Sequence, residues 1–193
     1  MAKEKLTAIS PLDGRYADKT KELSRIFSEY GLIKYRVEIE IRWLQMLANN
    51  PDIIELDIFD IDTDSQLNQI IDNFDVDDAE SVKEIEKITN HDVKAVEYFI
   101  SRQFKGHKNI KDFIHFGCTS EDINNLAYAM MLKEARDSII KPLMNSLQSE
   151  IESLASKHQN TPMLSRTHGQ TASPTTVGKE FANILSRLNI INI

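Results

Sequence analysis

Glycine and proline are scarce in this chain, six and five among 193 residues, and cysteine occurs once, at Cys118. A single cysteine excludes an internal disulfide, and without a Cys/His cluster around it an ordinary structural zinc site is excluded as well. No uninterrupted apolar run approaches the ~20 residues that cross a bilayer, and no apolar stretch stands behind the charges of Met1-Ala-Lys-Glu-Lys. A soluble, cytoplasmic protein with no membrane partner is the expectation. Basic residues are outnumbered, 23 Lys and Arg against 30 Asp and Glu, for a net charge of −7. That balance excludes wrapping of nucleic acid, because no chain-wide basic field is available to release phosphate counterions. A small anion is still a possible ligand, since a few local donors are enough to hold one.

With few breakers, Leu, Ile, Glu and Lys fall at helical spacing nearly throughout, and strand signals are weak. The spacing predicts an all-α fold long enough to bury a real core. One helix is expected from Asp18 to Phe27, and a longer one after Ser28. On the longer one Ile33, Val37, Ile41, Leu44 and Ala48 stack on one face, with Trp43 beside them. Residues 51–82 carry no Lys or Arg and read as a solvated acidic face with a short helix near Ser65 to Phe74. Helices from Asp77 or Asp78 to Ile88 and from Val93 to Phe104 follow, then a surface loop at Gly106-His-Lys108. Beyond it Thr119-Ser-Glu-Asp122 is a capping box opening a helical pattern that reaches His158, which Pro142 must kink or restart. Ser138 to His158 alone would span roughly 30 Å, pointing to a long bundle. Ser173-Pro174 reads as the start of the last helix. The expected organisation is a small helical N-terminal domain over 1–110, then the first part of a helical-bundle domain over 111–193.

Four polar clusters interrupt the helices, each at a helix start or break where amides and the dipole favour anions. In Ser10-Pro-Leu-Asp-Gly-Arg-Tyr16 a tight turn presents Arg15 and Tyr16, either to a phosphate or ribose or simply to solvent. Thr89-Asn-His-Asp92 presents Asn90, His91 and Asp92, either as a pocket or as a polar kink capped by Asp92. His115-Phe-Gly-Cys-Thr-Ser120 brings His115, Thr119 and Ser120 to the capping-box helix, for carboxylate binding or for capping alone. Capping does not account for His115 or the small Gly117. In Thr167-His-Gly-Gln170 a histidine and a glutamine flank a glycine in a loop, so His168 suits general acid or base work and Gln170 lies beside it. Cys118 has no base among its neighbours and reads as a small buried thiol.

These motifs, in this order, resemble those of adenylosuccinate lyases, members of the fumarase and aspartase superfamily. Ser10 to Tyr16, Thr89 to Tyr98, His115 to Asn125 and Arg166-Thr-His-Gly-Gln170 carry the resemblance, along nearly the whole chain. It implies β-elimination of fumarate from adenylosuccinate, giving AMP, and from the succinylaminoimidazole carboxamide ribotide of purine biosynthesis. It implies no metal or organic cofactor, a small-molecule nucleotide substrate, and a homotetramer whose active sites are assembled from three subunits. His168 matches the family's general acid, Arg15 and Tyr16 the nucleotide grip, and Thr119 and Ser120 the hydroxyls that hold a succinyl carboxylate. Asn90, His91 and Asp92 match pocket-lining positions, as do His115 and Gln170. The family's serine-rich loop Ser-Ser-x-Met-Pro-x-Lys-x-Asn, which carries its catalytic base, is not in this sequence, so the 193 residues alone are expected to be inactive. Two other readings are a superfamily lyase acting on argininosuccinate, fumarate or aspartate, and a non-catalytic helical oligomerisation module.

Overall fold

A computed structural model describes residues 6–105 and 108–191, so the loop expected at Gly106 and His107 lies outside the described residues. The chain forms two compact units, Met1–Glu134 and Ala135–Ile193.

The first unit is helical: α1 (Ala17–Phe27), α2 (Glu29–Ala48), α3 (Ile61–Asp72), α4 (Val76–Thr89), α5 (Asp92–Gln103), the single turn α6 (Lys108–Lys111) and α7 (Ser120–Ala135). Its centre is α2. Ile33, Val37, Ile41, Leu44 and Ala48 recur at steps of three and four and are each no more than 2% exposed, as the sequence pattern requires. Leu67, Val82, Val96, Ile100 and Phe104 from the surrounding helices close over that stripe, with Trp43 partly buried at its edge.

The acidic stretch has a structural use. Asp60 accepts a hydrogen bond from the Thr63 amide at the start of α3 (2.8 Å). Asp75 and Asp78 form a reciprocal capping box at the start of α4, each carboxylate taking the other residue's amide (3.0 and 3.3 Å). Carboxylates there satisfy orphan amides and complement the positive helix end. Between α3 and α4 the chain restarts in this way without glycine or proline.

The second unit begins with a π-helical turn, Arg136–Ile140, that leads into α8 (Lys141–Lys157) with Pro142 in the first turn. The restart expected at Pro142 is thus met by a widened turn, because proline offers no amide to the ladder and crowds the preceding turn. A hairpin of β1 (Pro162–Thr167) and β2 (Gln170–Thr176) follows, then α9 (Val177–Ile191). This hairpin corrects two expectations: strand signals are not weak everywhere, and Ser173-Pro174 does not open the last helix. His168 and Gly169 both take positive φ, 50° and 76°, as a two-residue hairpin turn of type I′ demands, and the flanking threonines are β-branched. Pro174 is tolerated because both strands of a two-stranded sheet are edges. The helix starts three residues later, where Val177 and Gly178 donate to the Thr161 and His158 carbonyls (3.0 Å each). No helix among the described residues is long and apolar enough to cross a membrane.

Candidate functional site

Two of the four polar motifs meet in the first unit through α2, by way of Trp43 and of two residues, Arg36 and Glu40, that the sequence did not single out. Arg36, Glu40 and Trp43 lie at i, i+4 and i+7 on α2, beside the apolar stripe, and Arg36 and Glu40 are 4% and 0% exposed. The Arg36 guanidinium donates to Asn124 near the start of α7 (2.9 Å) and pairs with Asp92 at the start of α5 (2.7 Å). Glu40 Oε1 lies 2.6 Å from His115 Nδ1. The Trp43 indole donates to the Phe116 carbonyl (2.8 Å). One helix face therefore anchors the Asn90–Asp92 break, the His115 loop and the first turn of α7. Further along, the Tyr35 hydroxyl donates to Glu134, and burial followed by that carboxylate raises the Tyr35 phenol far above its ordinary range.

At the α4–α5 break, Asn90 takes a left-handed conformation (φ 50°) and ends α4. His91, not Asp92, is the N-cap of α5: its Nδ1 accepts from the Lys94 amide (3.1 Å). Asp92 occupies the first helical position, where its carboxylate takes the Val93 amide (2.9 Å) and the Arg36 guanidinium. Burial alone would raise the Asp92 carboxyl, but the Val93 amide and Arg36 outweigh it and hold it below the usual carboxylate range. The break thus exposes Asn90 and about half of His91, while the half-buried Asp92 is held by Arg36.

In the 115–120 loop His115 is again left-handed (φ 63°), and Gly117 follows at φ 74°, a value that favours glycine. The loop turns on hydrogen bonds from Phe116 to the Phe113 carbonyl and from Cys118 to the His115 carbonyl (3.1 and 3.3 Å). It delivers Thr119 as the cap of α7. The Thr119 amide and hydroxyl both donate to Asp122 (2.7 and 2.8 Å), which holds that exposed carboxyl low, the amide contributing most. The capping box is therefore present, with Ser120 as the first helical residue. Cys118 is half-buried, and its thiol is raised first by burial and then by Glu40 and Asp122, which suits the inert reading.

Arg15 and Tyr16 leave a turn closed by Gly14 to Ser10 and Tyr16 to Pro11 hydrogen bonds (3.0 and 2.8 Å), and the Arg15 guanidinium sits 5.3 Å from the centre of the Tyr16 ring. No hydrogen bond or ion pair among the described residues ties this turn to Arg36 or Glu40. In the second unit His168 is at the hairpin tip, exposed, with Gln170 opening β2. Among the described residues three non-glycine residues have positive φ, Asn90, His115 and His168, and all three fall in the polar motifs. Asn and His are the types that tolerate this conformation best, so periodicity could not reveal it. Arg36 and Glu40 were hidden for a different reason. An Arg and a Glu at i, i+4 read equally well as a surface ion pair.

The family described as lyase matches residues 14–189. The chain is 54% identical over 186 residues to the adenylosuccinate lyase of Haemophilus influenzae, and 51% identical over 186 residues to that of Escherichia coli; in each case the match covers 95% of this chain and 41% of the relative. The chain thus spans about two fifths of the length of these relatives. Among solved structures, the fumarate lyase of Mesorhizobium sp. BNC1 superposes with a TM-score of 0.68 at 25% identity, over 89% of this chain and 37% of that one. Together with the helical architecture and the polar breaks above, this match over most of its length places the chain in the lyase family.

Proposed function

We propose that this chain supplies part of an adenylosuccinate lyase, splitting adenylosuccinate into AMP and fumarate, and the succinylaminoimidazole carboxamide ribotide in the same way. The observation that carries the reading is that the left-handed residues Asn90, His115 and His168 all lie in the motifs shared with that family. Backbone held in sparsely populated conformations clusters at functional sites. The substrate is a phosphate plus a dicarboxylate, and elimination places negative charge beside a carboxylate, which calls for preorganised donors. In this scheme His168 protonates the departing nitrogen, and Arg15 and Tyr16 grip the nucleotide. Asn90 and His91 line the pocket, held there by Asp92 through Arg36. Thr119 and Ser120 receive a succinyl carboxylate, which takes over donors that Asp122 now occupies, with His115 and Gln170 in support. A base from outside these 193 residues completes the reaction. No metal or organic cofactor has a role in this scheme. The division into a helical domain over 1–110 and a bundle domain over 111–193 belongs to the same proposal, as does assembly into a homotetramer.

The test is the absorbance change on adding adenylosuccinate to the purified chain, run beside a version continued through the remainder of the Haemophilus relative. Turnover by the longer protein alone is the expected result. Equal activity of the short chain would place the base within it and overturn the mechanism. If the longer protein turns over argininosuccinate, fumarate or aspartate instead, the substrate assignment fails; if it turns over nothing, the non-catalytic helical module takes its place.

A further inference from the structure

Glu40 is the least expected residue in the molecule. Its carboxylate is fully buried on α2, where Oε1 meets His115 Nδ1 at 2.6 Å and Oε2 has no hydrogen-bond partner among the described residues. Removing a carboxylate from water is unfavourable unless it is paired and fully hydrogen-bonded, and here one oxygen is neither. The titratable groups around it are His115, Glu97, Lys94 and the Cys118 thiol, and Lys94 is itself paired with Glu97. Burial, the largest effect, raises the Glu40 carboxyl, and His115 opposes it. A buried charged pair is weak evidence for a stabilising role, because replacing the whole pair by apolar side chains of similar volume is often neutral or stabilising. A stability role does not account for the residue, whereas its contact with a left-handed histidine two residues before Gly117 does.

We propose that Glu40 is a positioning residue: it accepts the Nδ1 hydrogen of His115, fixing the ring plane and tautomer so that Nε2, which carries the free lone pair, is the nitrogen left to accept a hydrogen from the substrate. The inference rests on the lyase reading of the same site and deepens it. At 2.6 Å one hydrogen must lie between Nδ1 and Oε1, and a second ring nitrogen whose partner is fixed is what sets the chemistry of the first. Nε2 makes no hydrogen bond among the described residues, and the ring is 19% exposed, so one edge is held and the other is accessible. Asp122, at the cap of α7, interacts electrostatically with the same imidazole, which puts His115 within range of the donors at Thr119.

The experiment is nitrogen-15 long-range NMR of the His115 ring in the purified 193-residue chain, in the wild type, Glu40→Met and Glu40→Gln. The expected wild-type signal has the hydrogen on Nδ1. Glu40→Met should shift the tautomer ratio toward Nε2–H by about tenfold, the scale of losing one hydrogen bond to a charged acceptor. Glu40→Gln, whose amide oxygen can still accept, should recover the Nδ1–H form at least in part. A wild-type ring with its hydrogen on Nε2, or a ratio unaltered in Glu40→Met, overturns the proposal; the first needs no variant to fold. In the longer, active protein Glu40→Met should lower kcat/KM by about 10–100-fold, as losses of groups that orient a functional imidazole do, and unchanged kcat/KM would overturn the positioning role. If the longer wild type is inactive, the lyase reading fails, and the NMR result still decides whether Glu40 sets His115.

Discussion

Replacing Arg36 with Met keeps an unbranched, buried stem but removes both contacts of the guanidinium, 2.9 Å to Asn124 and 2.7 Å to Asp92. Hydrogen bonds to charged groups contribute about 1.5–3 kcal/mol each. The Asp92 side chain is 44% exposed, so water recovers part of that pair and the low end applies. Loss of the buried charge returns part of its own desolvation penalty. The balance is a loss of about 2 kcal/mol. With a urea dependence of about 2 kcal/mol per molar, the unfolding midpoint of the chain should fall by about 1 M. The pH dependence identifies the cause. Asp92 is held below the ordinary carboxylate range when folded, so its stabilisation is complete above the unfolded value of about 3.9 and is lost as pH falls through the folded value. The gap between wild type and Arg36→Met should therefore be full at pH 7 and narrow from about pH 5 downward. Equal midpoints, or a gap that does not change down to pH 3, would refute the assignment of Arg36 as the brace between α5 and α7.

Three further outcomes are expected. Asp75→Ala should destabilise the chain by about 1 kcal/mol through loss of the α4 cap, with Asp75→Asn nearly neutral, both read from urea midpoints. Gly178→Ala would gain up to about 1 kcal/mol in an open helix, but here the added Cβ would lie 2.4 Å from the Ala155 carbonyl oxygen and 2.6 Å from the Gln159 Cα, so a lower thermal midpoint is expected instead. In the longer, active protein His168→Ala should lower turnover by about two to four orders of magnitude, the range for a lost general acid; near-normal turnover would remove His168 from that role.

Most helices of the first unit were legible because their apolar residues repeat with a 3.6 period and several start at residues that cap; α1 has no side-chain cap among the described residues, and the single turn α6 was not expected. The stripe from Ile33 to Ala48 and the Thr119–Asp122 box are cases in which local chemistry is sufficient. The β1–β2 hairpin was missed because Ser-Pro is an equally good helix start, and the deciding feature was the positive φ of His168 and Gly169 four to six residues upstream. Asp92 was mistaken for the cap because Asp is the better capping type by preference. Its carboxylate was drawn inward by Arg36, fifty-six positions earlier, and His91 took the role.

By itself the sequence determined the helical class, the places where the helices break and the polar residue types presented at those breaks, since these depend on neighbours within a few positions. Only the tertiary structure decided that Arg36 and Glu40 turn inward and not toward water, and that they hold Asp92, Asn124 and His115 to one helix face. The two outcomes have the same spacing along α2. What separates them is whether another part of the chain arrives with a group able to pair with the buried charge, and no local pattern encodes that arrival.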